Sequence, residues 1–374
     1  VTSPQRPFLD FYEKHKIIPT SLELSHKKKF FAQRDYLFET LGIPPRLLNG
    51  TRILELGPGT GQKAEHLLSL NPTSYKAIDN NPESIKSTQD MIDKSGYSGA
   101  ATVTSADFLD YVDETRYDLV LAESVIPTQH EPILFLEKLS EKLVAGGLLV
   151  FTCMDPMSLL SETLRNAIVK DLNLIDDNLL FSAEKITDFF KEDLDLLPGM
   201  NRRRSDWAID QIIKPPVGPL LDIPTALTSL ENTAIFHGSS PRFLEDFRWY
   251  KSPEIPLENL SKLALQNYWE KSHNFLDFRD IAKSIKSEDN KKLMKMSSDI
   301  YSEVHEKIWT SHSRPTIIRH CKSLKDLISK VSPITAESLE SFIKYWDTND
   351  TGDLSNFRPW WGRGTQYVSV IKLK

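Results

Sequence analysis

The chain has 374 residues, 40% apolar, 26% charged and 10% aromatic, a globular composition that excludes disordered, collagen-like and coiled-coil chains. Its length predicts two domains, or one domain with a large insertion, and a core large enough to need no disulfide staples. With 52 acidic against 46 basic side chains the net charge is −6, which offers phosphate backbones no general attraction, so no nucleic acid is expected as a partner. Only two cysteines occur, Cys153 and Cys321, which argues against a disulfide framework and a cysteine zinc site. The longest apolar runs, such as Leu148–Met154, are too short for a membrane span. Val1–Asp10 carries prolines and charge where a secretory signal is apolar. A cytoplasmic protein without membrane contact is the expectation; the oligomeric state is open.

In chain order, residues 1–50 read as an N-terminal helical cap. Phe30, Phe31, Leu37, Phe38 and Leu41 fall near helical spacing, and Gly42-Ile43-Pro44-Pro45 ends the segment. The Lys27-Lys28-Lys29 run before them reads as a solvated face. From residue 51 short apolar strands alternate with helices: strands at 52–56, 75–79, 101–104, 118–122 and 146–151, helices at 64–70, 82–94 and 133–143. Such alternation predicts an α/β fold, a parallel sheet with helices on both faces and its ligands at the strands' carboxyl ends. Two later runs, 233–237 and 366–373, read as strands six and seven. A helical excursion is expected at about 156–231 and a helical insertion at 240–361, with helix starts at Ser182, Ser323 and Thr335. The core is then 51–239 with 362–374.

Between the first strand and its helix stands Glu55-Leu56-Gly57-Pro58-Gly59-Thr60-Gly61. Alternate glycines turn the backbone tightly and bring bare N–H groups of a helix start against a ligand. A nicotinamide dinucleotide fingerprint wants G-x-G-x-x-G/A, and Gln62 departs from the expected order.

These residues resemble the class I S-adenosylmethionine-dependent methyltransferase superfamily, of Rossmann-like fold, whose loop reads acid-x-Gly-x-Gly-x-Gly; Glu55, Gly57, Gly59 and Gly61 match it position for position over a resemblance that spans about residues 50–153. The resemblance implies a seven-stranded Rossmann-like sheet, S-adenosylmethionine as cofactor and S-adenosylhomocysteine as product. It places Asp79, with Asn80 beside it, at the ribose hydroxyls, where a carboxylate accepts two hydrogen bonds at once. Asp107 and Phe108 fall at the adenine, Glu123 at the methionine end. Leu143–Gly147 is similar to the family's turn before strand five. Family members often carry histidines after strand four; here that loop reads Ile126-Pro127-Thr128-Gln129-His130.

Methyl transfer from a sulfonium is an in-line displacement that asks the protein for alignment, and for a general base when the acceptor is an oxygen. His237, after strand six, and then Asp155, after strand five, are the candidate bases. Arg202-Arg203-Arg204, Trp249 and Trp360-Trp361 suit a polar small-molecule acceptor, sugar-containing or carboxylated, methylated at oxygen or nitrogen. Two alternatives remain: a non-catalytic S-adenosylmethionine-binding protein, and a methyltransferase of protein acceptors. No metal is expected. Asp347–Asp353 resembles the start of a calcium loop, but its twelfth position is Arg358 where a bidentate glutamate is required.

Overall fold

Strands buried on both faces read as near-continuous apolar runs, and the segments between residues 52 and 153 do so because helices cover both sides of their sheet. The computed structural model describes residues 27–126, 129–200, 202–215, 220–251 and 259–374; the expectations for Val1–Asp10, Pro127 and Thr128 lie outside them. In chain order the elements are α1 (Lys27–Thr40), β1 (Arg52–Leu56), α2 (Gln62–Ser69), β2 (Ser74–Asp79), α3 (Pro82–Lys94), β3 (Ala100–Ser105), β4 (Tyr117–Ala122), α4 (Pro132–Glu141) and β5 (Leu143–Cys153). Then come α5 (Pro156–Asp171), α6 (Leu179–Phe189), α7 (Lys191–Asp195), α8 (Arg204–Trp207), α9 (Ile223–Ser229) and β6 (Ala234–Ser240). The last are α10 (Asn259–Lys271), α11 (Ser287–His305), α12 (Ser313–Ile328), α13 (Pro333–Thr348) and β7 (Gln366–Lys372).

The chain forms two compact units, one of residues 1–153, 223–264 and 366–374, the other of 154–222 and 265–365. The first holds a seven-stranded sheet in the order β3-β2-β1-β4-β5-β7-β6, a Rossmann-like arrangement. Strands β1 to β5 pair in parallel, with Leu56 beside Ile78 on one side and Ala122 on the other. Their carboxyl ends share one edge. Strand β7 enters between β5 and β6 and pairs antiparallel with both, a pairing that needs no crossover helix.

One face of this sheet buries Ile53, Tyr75, Ala77, Leu119, Leu121 and Val150 against Phe38 and Leu41 and the α2 residues Ala64, Leu67 and Leu68. On the other face α4 packs against β5 and beside α9. Helix α3 starts where Pro82 occupies the first turn and the Asn81 side chain accepts the Glu83 N–H, satisfying a donor that the helix itself leaves unpaired. In helix α1 the buried residues are Phe38 and Arg34, with Leu37 packed on the same core as Phe38, while Phe30 and Phe31 are half-buried.

The second unit is helical, with α5 against α11 and α11, α12 and α13 packed in series. Its helix starts differ from those expected. Ser182, Ser323 and Thr335 lie inside α6, α12 and α13, which are preceded by Asn178, His312 and Ser332. A hydroxyl within a helix finds its own acceptor, as Ser323 does by donating to the Arg319 carbonyl. At the centre sits Arg165, fully buried. It donates to Asp193 and to the carbonyls of Ser161, Trp360 and Arg358, and its guanidinium lies 3.8 Å from the Trp361 ring centre. Trp360 and Trp361 are therefore core residues of this unit. In the Asp347–Asp353 loop, Asp350 accepts the Gly352 N–H and Asp353 pairs with Lys344 and Thr348.

Candidate functional site

At the carboxyl end of β1 the chain turns through Gly57, Gly59 and Gly61, with φ of 63°, 62° and 78°, values that L side chains resist. Two of these positions show why glycine is needed. A Cβ on Gly61 would come within 2.9 Å of the Thr88 Cα, so α3 can pack on the loop only if that atom is missing. At Gly59 a Cβ would meet nothing within 4 Å; the space beside it is open, as a cradle for a ligand requires. The loop's carbonyls turn to α3, Thr60 accepting from Ser87 and Gly59 from Thr88.

Asp79 closes β2, buried. It accepts the Asn81 N–H at 2.9 Å, and the nearby N–H groups of Asn80 and Gly59 and the Ser84 hydroxyl favour its charged form. Burial raises its pKa and these donors pull against that rise. Asp79 thus shapes the glycine loop besides facing the same sheet edge. Asp107 makes a turn by accepting the Leu109 N–H at 2.9 Å, and Phe108 packs on Phe135 with ring centres 5.8 Å apart.

Glu55 and Glu123 lie in one buried polar cluster. The Tyr75 hydroxyl donates to Glu55 at 2.6 Å, and burial drives the Glu55 pKa up. Glu123, directly after β4, is 5% exposed. The Arg34 guanidinium holds it end-on, Nη1 to Oε2 at 2.9 Å and Nη2 to Oε1 at 2.5 Å. Lys63, in the first turn of α2, stands 3.5 Å away. Burial alone would raise the Glu123 pKa, but the two cations win and hold it down to about 2. Arg34, Lys63 and Tyr75 were not foreseen as site residues. Lys63 had a signal, two residues past the last glycine; Arg34 had none, because its partner is 89 residues away.

The two candidate bases have partners of their own. The His237 Nε2 lies 2.9 Å from the Gly42 carbonyl, beside a cleft of about 220 Å³ that Thr40, Arg242 and Leu244 also line. Its strand stands three strands from β4 in the sheet order, roughly 14 Å at ordinary strand spacing. Asp155 belongs to the second unit. It caps α5 by accepting the Met157 N–H at 2.8 Å and receives the Tyr268 hydroxyl. Fully buried, its carboxyl is pushed up to about 7, against the pull of those donors and with Asp222 adding to the rise. Among the described residues no group of three or more His, Cys, Asp or Glu side chains could hold a metal ion, and no helix is long and apolar enough to cross a membrane.

Residues 47–192 match a family model described as a methyltransferase domain. No curated protein matches the chain. Among solved structures, similarity is found to the N-methyltransferase NodS from Bradyrhizobium japonicum WM9 in complex with S-adenosyl-L-homocysteine: 17% identity over 39% of this chain and 66% of that one, TM-score 0.28. The CcbJ methyltransferase from Streptomyces caelestis shows 22% identity over 30% of this chain and 52% of that one, TM-score 0.28. The [4+2]-cyclase SpnF shows 18% identity over 38% and 57%, TM-score 0.31. The chain thus spans under two thirds of the length of each of these three structures.

Proposed function

Since residues 47–192 are a class I methyltransferase domain, whose cofactor is S-adenosylmethionine, we propose that the chain methylates an oxygen or nitrogen of a small polar acceptor. The observation that carries this reading is the cradle itself. Three glycines of positive φ, one facing open space, stand beside a buried carboxylate at the end of β2 and a buried ion cluster at the end of β4. Bound S-adenosylmethionine supplies an electrophilic methyl group on a sulfonium. In the proposed assignment Gly57, Gly59 and Gly61 admit the cofactor to the backbone, Asp79 and Asn80 hold the ribose, Asp107 and Phe108 the adenine, and Glu55 and Glu123 border the methionine end. The chain's own contribution to rate is alignment of acceptor and methyl group.

The reading of the acceptor as small and polar rests on the mixed polar and aromatic side chains after β6. There Arg248 is clamped by Asp246 through two bonds of 2.8 Å, leaving Phe247 95% exposed, with Trp249 and Tyr250 also exposed. The domain reading has 1–50 as a cap, 51–239 with 362–374 as the core and 240–361 as the acceptor-recognising insertion. Calorimetry with S-adenosylhomocysteine and with NAD tests the cofactor; binding of NAD alone overturns the proposal. Transfer of a labelled methyl group to a metabolite extract, and to a protein extract in parallel, tests the acceptor. Label entering only the protein extract replaces the small molecule with a protein acceptor, and label entering neither leaves a binding protein.

A further inference from the structure

Strand β6 is the last in the sheet order, and its pairing with β7 slips at one residue. Phe236 stands opposite Val370 and Gly238 opposite Ser369, so His237 is an extra residue between them. Such a bulge takes a residue out of the ladder and re-aims its side chain, and bulges gather at sheet edges beside functional sites. Strand β6 runs parallel to β5, both being antiparallel to β7, so its end lies on the edge that β1 to β5 share. The His237 ring reaches the Gly42 carbonyl, an approach open only to glycine, since a Cβ there would lie 2.6 Å from Nε2. A carbonyl only accepts, so Nε2 carries the proton and the neutral ring keeps an acceptor at Nδ1. In the cleft of about 220 Å³ beside it, Thr40 and Ser239 have likewise given up their protons, donating to the carbonyls of Tyr36 at 2.7 Å and Pro241 at 2.8 Å. Toward a ligand these oxygens can only accept. Arg242 is the opposite. Its Nε and Nη2 donate to the carbonyls of Thr40 and Glu39, Nη1 enters neither bond, and no carboxylate among the described residues pairs with it.

The lining thus holds one fixed cation and three hydrogen-bond acceptors, with Phe236 and Leu244 as apolar wall. A bare anion would satisfy Arg242 and meet three lone pairs; a neutral sugar would leave the guanidinium unmatched. A ring carrying hydroxyls and one acidic group answers both demands. The volume, below the roughly 300–1,000 Å³ of a drug-sized pocket, suits one such ring. We propose that this cleft binds an acidic sugar unit of the acceptor, its anionic oxygen on Arg242 and its hydroxyls on His237, Thr40 and Ser239, the anion being a carboxylate or a phosphate. This rests on the methyltransferase reading above and narrows its acceptor. All four side chains are binding residues: β6 stands three strands from β4, so the cleft anchors the acceptor away from the reacting atoms.

The test titrates protein carrying isotope-labelled histidine with glucuronate, glucose 6-phosphate, glucose and inorganic phosphate, following the ring nitrogens by NMR. The His237 signals are identified by their loss in His237→Gln. Glucuronate or glucose 6-phosphate is expected to move the His237 Nδ1 signal to saturation, and the tighter of the two tells carboxylate from phosphate. Glucose and inorganic phosphate are expected to bind more weakly by about 10-fold or more, and Arg242→Gln to weaken the acidic sugar by roughly 10- to 100-fold. Inorganic phosphate binding as tightly as the acidic sugars makes the cleft a site for a free anion and overturns the proposal. Glucose binding as tightly does so too, and so does a His237 signal that none of the four moves. Arg242 also fastens the end of α1, but the titrations of the unaltered protein decide the matter whether or not Arg242→Gln folds. Calorimetry with S-adenosylhomocysteine on the same protein keeps the two readings apart. Sugar binding without it defeats the methyltransferase reading alone; its binding without the sugars defeats the cleft alone.

Discussion

Asp79 shows how one side chain can serve a site and its scaffold at once. The carboxylate that the resemblance assigns to a ribose also accepts the Asn81 N–H and is favoured in its charged form by the N–H groups of Asn80 and Gly59 nearby. Asp79→Ala therefore weakens S-adenosylhomocysteine and also costs about 1–3 kcal/mol of stability, because buried N–H groups lose their acceptor. Paired calorimetric titrations and urea melts check this; weakened binding at native stability would confine Asp79 to the ligand. Two other carboxyls act on stability in opposite directions. Glu123 falls from an ordinary 4.5 to about 2 in the folded chain. Its contribution, on the order of 3 kcal/mol, is present above pH 4.5 and lost as pH falls toward 2. Asp155 rises from 3.8 to about 7, so the folded chain holds a proton that the unfolded chain releases, and stability declines between about pH 4 and 7. Asp155→Asn keeps an oxygen for the Met157 N–H and removes that decline; stability measured from pH 4 to 7 is the check.

Helix α1 shows what a segment's own composition conceals. Its last carbonyls are gathered by side chains from two distant strands and the loop after β6: Arg242 donates to those of Glu39 and Thr40, Ser369 to that of Leu41, and His237 meets that of Gly42. Nearer its start Lys27 pairs with Glu65, and Asp35 meets His66 at 2.8 Å. Polar contacts hold the helix along its length, beside the core packing of Leu37 and Phe38. His237→Ala is accordingly expected to cost about 1 kcal/mol without altering the pH profile of methyl transfer; a lost acidic limb in that profile would make His237 the base. The parallel strands were legible because burial on both faces leaves an apolar run between turn residues, and β1 was placed at its observed limits, 52–56. The glycine loop was legible because a positive φ selects a residue type. Arg34 was not, since a charge on a helix reads as solvent-facing until a partner far along the chain is known. The starts of the later helices were missed because serine and threonine also occur inside helices, where they find other acceptors: Ser323 bonds a carbonyl one turn back, Ser182 bonds Asp176 and Thr335 bonds Asp277.

At the scale of the whole molecule, each unit is assembled from separated stretches of chain. In the helical unit Arg165 joins its two stretches, holding residues 161 and 193 of one and 358–361 of the other. Arg165→Met removes the cation and strands Asp193 with part of its charge unpaired, at a cost of about 3–5 kcal/mol. Hydrogen exchange is expected to show lost protection across 154–222 and 265–365, with binding of S-adenosylhomocysteine by the other unit retained. Lost protection confined to a few residues around 165 would count against a central role.

The position of β7 has a consequence for biosynthesis. It fills the gap between β5 and β6, but it is the last strand reached along the chain. A ribosome adding about 5–20 residues per second needs roughly 10–40 s to pass from the end of β5 to the start of β7. For that interval β5 has an open edge, and β6, once it is made, has no partner, a state that invites pairing with other chains. A nascent chain stalled or cut before Gln366 should therefore accumulate in aggregates and be a natural client of chaperones that shield strand edges. Release of residues 366–372 would be the event that lets the sheet close.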